Sequence, residues 1–393
     1  MDPYITEWLN LVVRWIHLIV GIAWIGASFY FNWLEGHLER KTGLAKGVEG
    51  ELWSVHGGGF YHVQKYAVAP EQMPQTLHWF KWEAYWTWMS GMMLLAIVYY
   101  FSPGVYLIDK SVMEMPGWLG ILVGLAFIAG GWFGYDRLAK TSLVDKPTQF
   151  LVVMFIALTL AALVLSLLFN PRAAYIHVGA MIGTMMAGNV FFGIMPSQRY
   201  LVDALSKGDT PDPAVGKRGF QRSLHNNYFT LPLLFIMISN HYPATFSHAA
   251  NWLILAALGA ISIGVRHYFN LRNRGRDYRW ILPVAAIAMF SLAWVSAPAK
   301  VQVEAGAEAV TTAQAHGIIM QRCTTCHSAN PTDAAFKTAP NGVMFDTETQ
   351  IISNAPGIYA RSVATESMPL GNLTGMTKEE RGLLGQWYQT LGQ

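Results

Sequence analysis

The stretch Leu9-Asn10-Leu11-Val12-Val13-Arg14-Trp15-Ile16-His17-Leu18-Ile19-Val20-Gly21-Ile22-Ala23-Trp24-Ile25-Gly26, continuing apolar to Trp33, decides the fold. A spanning helix needs about 20 mostly apolar residues, and here Arg14 and His17 are the main interruptions. Met1-Asp2-Pro3-Tyr4 precedes the stretch instead of a basic region. It therefore reads as a first membrane span and not as a cleaved leader. Seven similar stretches follow, at about 79–101, 117–135, 149–169, 172–195, 223–242, 249–269 and 278–297. Composition agrees, with 53% hydrophobic and only 13% charged residues in 393, including 15 Trp and 18 Met. That charged share is about half the usual one for a soluble domain. A net charge of +3 gives no reason to expect a nucleic acid or other polyanion.

After Pro298 the sequence turns small and polar at Ala305-Gly306-Ala307-Glu308, then takes on a soluble composition. The expected organisation is a membrane domain over 1–298, a linker over 299–307 and a soluble domain over 308–393. Loop charges orient the bundle. Lys and Arg crowd the odd-numbered loops: Arg40, Lys41, Lys46 and Lys65; Arg137, Lys140 and Lys146; Arg199, Lys207, Lys217, Arg218 and Arg222; Arg272, Arg274, Arg276 and Arg279. The alternate loops hold only Lys110 and Arg172. The odd loops are then cytoplasmic and both termini face outward. The expected location is the bacterial inner membrane, multi-pass, with the C-terminal domain on the periplasmic side.

The chain has two cysteines, both in Cys323-Thr324-Thr325-Cys326-His327. This is the c-type haem attachment pattern: two thiols for the porphyrin vinyl groups and an imidazole for the iron. With no second Cys pair, a zinc site or a disulfide framework finds no partners. One covalent haem c is expected, with His327 as axial ligand. Met368, in Ser367-Met368-Pro369, is the expected sixth ligand, and Met344 is its competitor. His/Met ligation suits electron transfer at raised potential. The outer face is also where covalent haem attachment normally occurs in bacteria. Thr377 to Leu391 reads as a closing helix, with Trp387 packing on the helix that carries Ala313–Cys323. The fold class expected is all-α, an eight-helix transmembrane bundle followed by a class I c-type cytochrome domain.

Ionisable residues inside spans are costly and invite functional readings. His17 and His177 lie about 12 and 8 Å from the outer ends of their spans at 1.5 Å rise per residue. Two histidines on different helices at similar depth could be the axial pair of a b-type haem, with Arg14 one turn outward for a propionate. They could equally hydrogen-bond neighbouring helices, and His241 is an alternative second ligand. A second polar cluster gathers at the inner end: His78, Glu83, Asn189, His225, Asn226, Asn227 and His267, with His37, His56, Gly57-Gly58-Gly59 and His62 from the first loop. It reads either as a substrate pocket or as a hydrated end with snorkelling side chains. The three glycines allow close approach to a ligand, or merely a turn. Gly179 and Gly183 have the spacing of a close helix contact.

Arg14-Trp15-Ile16-His17 through Gly26, Gly57-Gly58-Gly59-Phe60-Tyr61-His62-Val63-Gln64-Lys65-Tyr66, and Leu224-His225-Asn226-Asn227-Tyr228-Phe229-Thr230-Leu231-Pro232, together with the haem motif, resemble the bacterial membrane-bound, cytochrome c-linked urate oxidase (urate hydroxylase) family. The resemblance covers essentially the whole chain. It implies oxidation of urate to 5-hydroxyisourate in purine catabolism. Electrons would leave through the cytochrome domain to a respiratory-chain acceptor, not to oxygen with peroxide release. The first span also resembles, more faintly, the haem-dependent membrane protoporphyrinogen oxidase, which favours haem b at His17. Urate is an electron-rich planar anion. Its binding wants Arg or Lys, amide donors and aromatic faces, and a general base would ease its oxidation. His225, Asn226, Lys65, His62 and Glu83 are the candidates for these roles. The alternative reading is a membrane quinol–cytochrome c electron-transfer protein, distinguished by whether quinol or urate reduces haem c.

Overall fold

The computed structural model describes residues 3–68, 70, 72–297 and 310–391, and the chain is mostly helical. The expected linker, 299–307, lies outside the described residues. The N-terminal part runs α1 (Pro3–His37), a hairpin of β1 (Val48–His56) and β2 (Gly59–Tyr66), α2 (Trp82–Leu95) with a wider π turn over Ala96–Tyr100, then α3 (Pro103–Tyr106), α4 (Gly117–Leu138) and α5 (Pro147–Ser166). It continues with α6 (Pro171–Gly188), a second π turn over Asn189–Ile194, α7 (Met195–Ser206), α8 (Pro213–Ser239), α9 (Pro243–Phe246), α10 (Asn251–Arg272) and α11 (Ile281–Val295).

Among the described residues five helices are long and apolar enough to cross a membrane: Tyr4–His37, Gly117–Leu138, Pro147–Ser166, Pro171–Ser206 and Asn251–Arg272. The other three expected spans are helical but fall short in length or apolarity. Helix α2 has 14 residues before its π turn, α8 carries a run of Arg, His and Asn, and α11 has 15 residues. The outward surface is that of a membrane protein. Trp15, Leu18 and Ile22 on α1 are each more than 60% exposed, and α11 buries no residue. Lipid accepts such surface where water would not.

Helix α6 is the centre of the bundle, buried on most of its surface and packed by α4, α5 and α8. Asn170 caps it by accepting from Arg172 N at 3.0 Å, and Pro171 opens it. Of the small pair, only Gly179 mediates a close contact. A Cβ there would lie 2.6 Å from Ile236 of α8, while one at Gly183 meets nothing within 4 Å.

The all-α expectation needs a correction at the first loop. Strands β1 and β2 pair antiparallel, with His56 opposite Gly59. Gly57 and Gly58 form the two-residue turn with φ of +58° and +81°. Positive φ at both turn residues matches the right-handed twist of the strands. Gly57 and Gly58 thus form the turn of a hairpin.

In the last turn of α1, a Cβ on Gly36 would come 2.2 Å from the backbone oxygen of Asn273, just beyond α10. Backbone cannot yield as a flexible side chain can. Gly36→Ala should therefore destabilise the protein by about 1–3 kcal/mol, read as a lowered thermal midpoint in detergent. An unchanged midpoint would mean that α1 and α10 are not in register here.

The C-terminal part comprises α12 (Thr312–Arg322), α13 (Glu348–Ser353), α14 (Ala355–Ile358), a π turn over Tyr359–Ala364, and α15 (Lys378–Thr390). Three of its helices begin with capping boxes, Thr311/Gln314, Thr347/Gln350 and Thr377/Glu380, in which side chain and backbone satisfy each other. Its own core holds Ala315, Ile319, Phe345, Ile351, Leu384 and Trp387. Trp387 is fully buried and reaches Thr312 Oγ1 at 3.4 Å, where α15 meets α12. Arg322 donates to Glu380 at 3.0 Å across the same pair. The turn Leu370–Asn372 rests on α3. A Cβ on Gly371 would lie 3.4 and 3.5 Å from the backbone oxygens of Val105 and Ile108.

Candidate functional site

Cys323 closes α12, its N–H bonded to Ile319 O at 2.8 Å. The next turn is held by Cys326 N and His327 N donating to Cys323 O at 3.2 and 2.8 Å, so the motif is one compact turn. Both thiols are free. Burial, then the neighbouring Cys326, pushes the Cys323 thiol up to about 12. Burial, then Asp333, takes Cys326 to about 11. No cluster of three metal-binding side chains occurs among the described residues.

His327 Nδ1 meets Val343 O at 3.0 Å. It must donate to that carbonyl, which leaves Nε2 as the lone-pair nitrogen. An axial histidine needs this tautomer, held by a partner behind the ring. The residues therefore fit a covalent haem. Phe345 N donates to His327 O at 2.9 Å, so the segment carrying Met344 is tied to the His327 turn. Met368 is anchored separately. Its N–H donates to Arg361 O at 2.9 Å and its O accepts from Arg381 Nη1 at 2.7 Å. Arg381, buried on α15, also donates to Ser362 O.

The two span histidines turn to different neighbours. His17 Nδ1 lies 3.1 Å from Thr87 O and 3.0 Å from Ser90 Oγ on α2. His177 is fully buried. Its Nδ1 meets Ala173 O at 2.8 Å and its Nε2 meets Tyr100 Oη at 3.0 Å. Both nitrogens of His177 are thus engaged, and a haem ligated by it does not fit this arrangement. Arg14 bonds Asn10 at 2.9 Å, and His241 lies exposed beyond α8.

Lys65 and His62 stand on β2, in a surface network. Lys65 Nζ meets Glu35 at 2.9 Å and Glu49 at 3.0 Å. Burial acts against its charge, but bonds to Glu35 and Glu49 outweigh that and raise its pKa. His62 bonds Glu51 at 2.9 Å and stacks on Trp53, centroids 4.2 Å apart.

His225 and Asn226 belong to a buried knot between α4, α6 and α8. Arg222 is part of it, four residues before Asn226 and so on the same helix face. It lies buried within α8 and not in the loop where its charge was counted. Arg222 donates to Asp136 Oδ1 at 2.8 Å and to Asn189 Oδ1 at 3.0 Å. Asn189, in the second π turn, donates to Asn226 Oδ1 at 2.8 Å and Tyr135 Oη at 2.7 Å. Tyr135 Oη meets His225 Nδ1 at 2.8 Å, and Phe150 stacks on the His225 ring at 4.5 Å. Asn226 donates one N–H to Met186 O at 3.0 Å. A buried network of this kind specifies packing.

The next residue, Asn227, is turned about 100° round the helix, toward α10. Asn227 Oδ1 accepts from Arg266 Nε at 2.9 Å and from Asn270 Nδ2 at 2.8 Å. Arg266 lies over the Phe29 ring of α1, 4.1 Å from its centroid. Asn227 Nδ2 and Asn270 Oδ1 are buried without partners, as is Glu83 Oε2. Arg266 and Asn270 were absent from the sequence-based candidates, although an Arg and an Asn four apart on an apolar helix are a readable signal.

The family model described as urate oxidase N-terminal matches residues 3–297. The match spans most of the chain, and the chain belongs to that family. Membership points to an oxidoreductase acting on urate. No curated protein matches, and no solved structure does.

Proposed function

We propose that the chain is an integral membrane oxidoreductase that converts urate to 5-hydroxyisourate and passes the electrons through its own C-terminal c-type cytochrome domain. The observation that carries this is the continuity, in one chain, of a urate oxidase family region with a Cys-x-x-Cys-His turn whose histidine is oriented by Val343 O. The balance is urate plus water giving 5-hydroxyisourate, two protons and two electrons. A haem bound at this turn supplies single-electron acceptance and release. Cys323 and Cys326 would hold it by thioether bonds, and His327 would ligate it through Nε2. Met368 would be the second ligand to its iron, with its backbone held by Arg361 O and by Arg381. Arg381 fixes the Met368 loop.

On this reading the bundle spans the membrane eight times, with the cytochrome domain outside and a respiratory-chain acceptor taking the electrons. Of the acid–base candidates, Glu83 keeps a carboxylate oxygen without a partner and is the group assigned to accept a proton. The proposal uses haem c alone.

The test is anaerobic addition of urate to the purified protein while haem absorption is recorded. Urate should reduce the haem, and 5-hydroxyisourate should form at one per two electrons delivered. Reduction by a quinol with none by urate would replace this reading with quinol–cytochrome c electron transfer.

A further inference from the structure

We propose that the paired amides of Asn227 and Asn270, with Arg266 beside them, form a recognition site for the lactam edge of an oxopurine anion. This deepens the urate reading and rests on it. The three side chains are 2%, 4% and 5% exposed for Asn227, Asn270 and Arg266, and they join α8 to α10. Their hydrogen-bond directions are forced. Arg266 can only donate, so the group it meets on Asn227 is the oxygen. Asn270 meets the same oxygen, so it presents its NH2. That leaves Asn227 Nδ2 as an orphaned donor and Asn270 Oδ1 as an orphaned acceptor.

Two buried amides in this state carry a desolvation cost of about 1–3 kcal/mol for each unmade bond, and they remain in the fold. A lactam edge, N–H beside C=O, is their complement: its N–H gives to Asn270 Oδ1 and its C=O takes from Asn227 Nδ2. The guanidinium adds a second requirement. Among the described residues Arg266 has no carboxylate within ion-pair distance, and it is held by Asn227 and the Phe29 face. A buried cation without a counter-charge favours an anionic ligand. A urate anion supplies the lactam edge and the negative charge in one planar molecule.

The experiment is equilibrium binding of urate to the anaerobic full-length protein, followed by turnover. Asn270→Ala and Arg266→Gln should each weaken urate binding about tenfold or more, since one bond to a charged partner is worth that much. KM should rise by a similar factor, with a smaller change in kcat. In the unaltered protein, urate should slow hydrogen exchange in α8 around Asn227 and in α10 around Asn270, a reading independent of whether the variants fold. Inorganic phosphate should not displace urate at equal concentration. If the wild type binds and oxidises urate but both folded variants bind it normally, or exchange slows only elsewhere, this site is wrong and the functional reading stands. Displacement by phosphate would reduce the site to a plain anion pocket and overturn lactam recognition. If the wild type binds no urate, the functional reading itself fails.

Discussion

Replacing Cys323 and Cys326 together by alanine is expected to abolish covalent haem staining and to lower urate turnover by about a thousandfold or more, roughly 4 kcal/mol on the barrier. Both thiols lie on one turn after α12, with no other cysteine in the chain to substitute for them. The cytochrome is, on the proposed reading, the exit for electrons, and His/Met ligation leaves no open position for oxygen. Urate binding should persist, because the variant leaves α8 and α10 untouched. The fold of the C-terminal domain can be checked separately through Trp387, buried where α15 meets α12. Turnover is read as loss of urate absorbance with an external acceptor. Oxidation at full rate by oxygen alone, with peroxide released, would make the cytochrome dispensable and end the mechanism.

The helices were legible because each signal is local. Apolar runs mark α1, α4, α5 and α6, and Thr-x-x-Gln or Thr-x-x-Glu marks the starts of α12, α13 and α15. The hairpin was equally local, since Gly57-Gly58 separates two runs of Val, Trp, Phe and Tyr, a two-residue turn signal. Three glycines in a row suit a ligand loop as well, so the run alone does not separate the two. The haem motif is legible for the same reason, as five consecutive residues contain it. The membrane-domain chemistry was not. Whether Asn226 or Asn227 has bonds to spare depends on which neighbouring helix each faces, and sequence spacing does not give that. Arg222 was read as a loop charge because it lies outside the apolar window of its span. In the fold it is drawn inside by Asp136 and Asn189. Sequence spacing gives His17 and His177 a similar depth, but their partners on α2 and in the first π turn depend on the fold.

Asp136→Leu is expected to cost about 3–5 kcal/mol of stability, the usual penalty for leaving one charge of a buried pair unmatched. The pair is tight, 2.8 Å, with the Arg222 side chain 10% exposed and that of Asp136 18% exposed. The two single variants should differ. In Asp136→Leu the guanidinium stays among α4, α6 and α8 with Asn189 and the Tyr135 ring as neutral neighbours. In Arg222→Leu, Asp136 keeps Lys140, whose Nζ lies 2.6 Å away, but Asn189 Oδ1 loses its donor, at about 1–3 kcal/mol. Arg222→Leu should therefore be the milder change. The double variant removes both charges and should be more stable than Asp136→Leu alone, so the double-mutant cycle carries a coupling energy of about 1–3 kcal/mol. Denaturation of the three variants in lipid nanodiscs measures all of this. If Asp136→Leu stays within about 0.5 kcal/mol of the parent, the range of an ordinary surface change, the pair is solvated. The knot would then be an open polar end of the bundle, and His225 would return as a group that a substrate could reach.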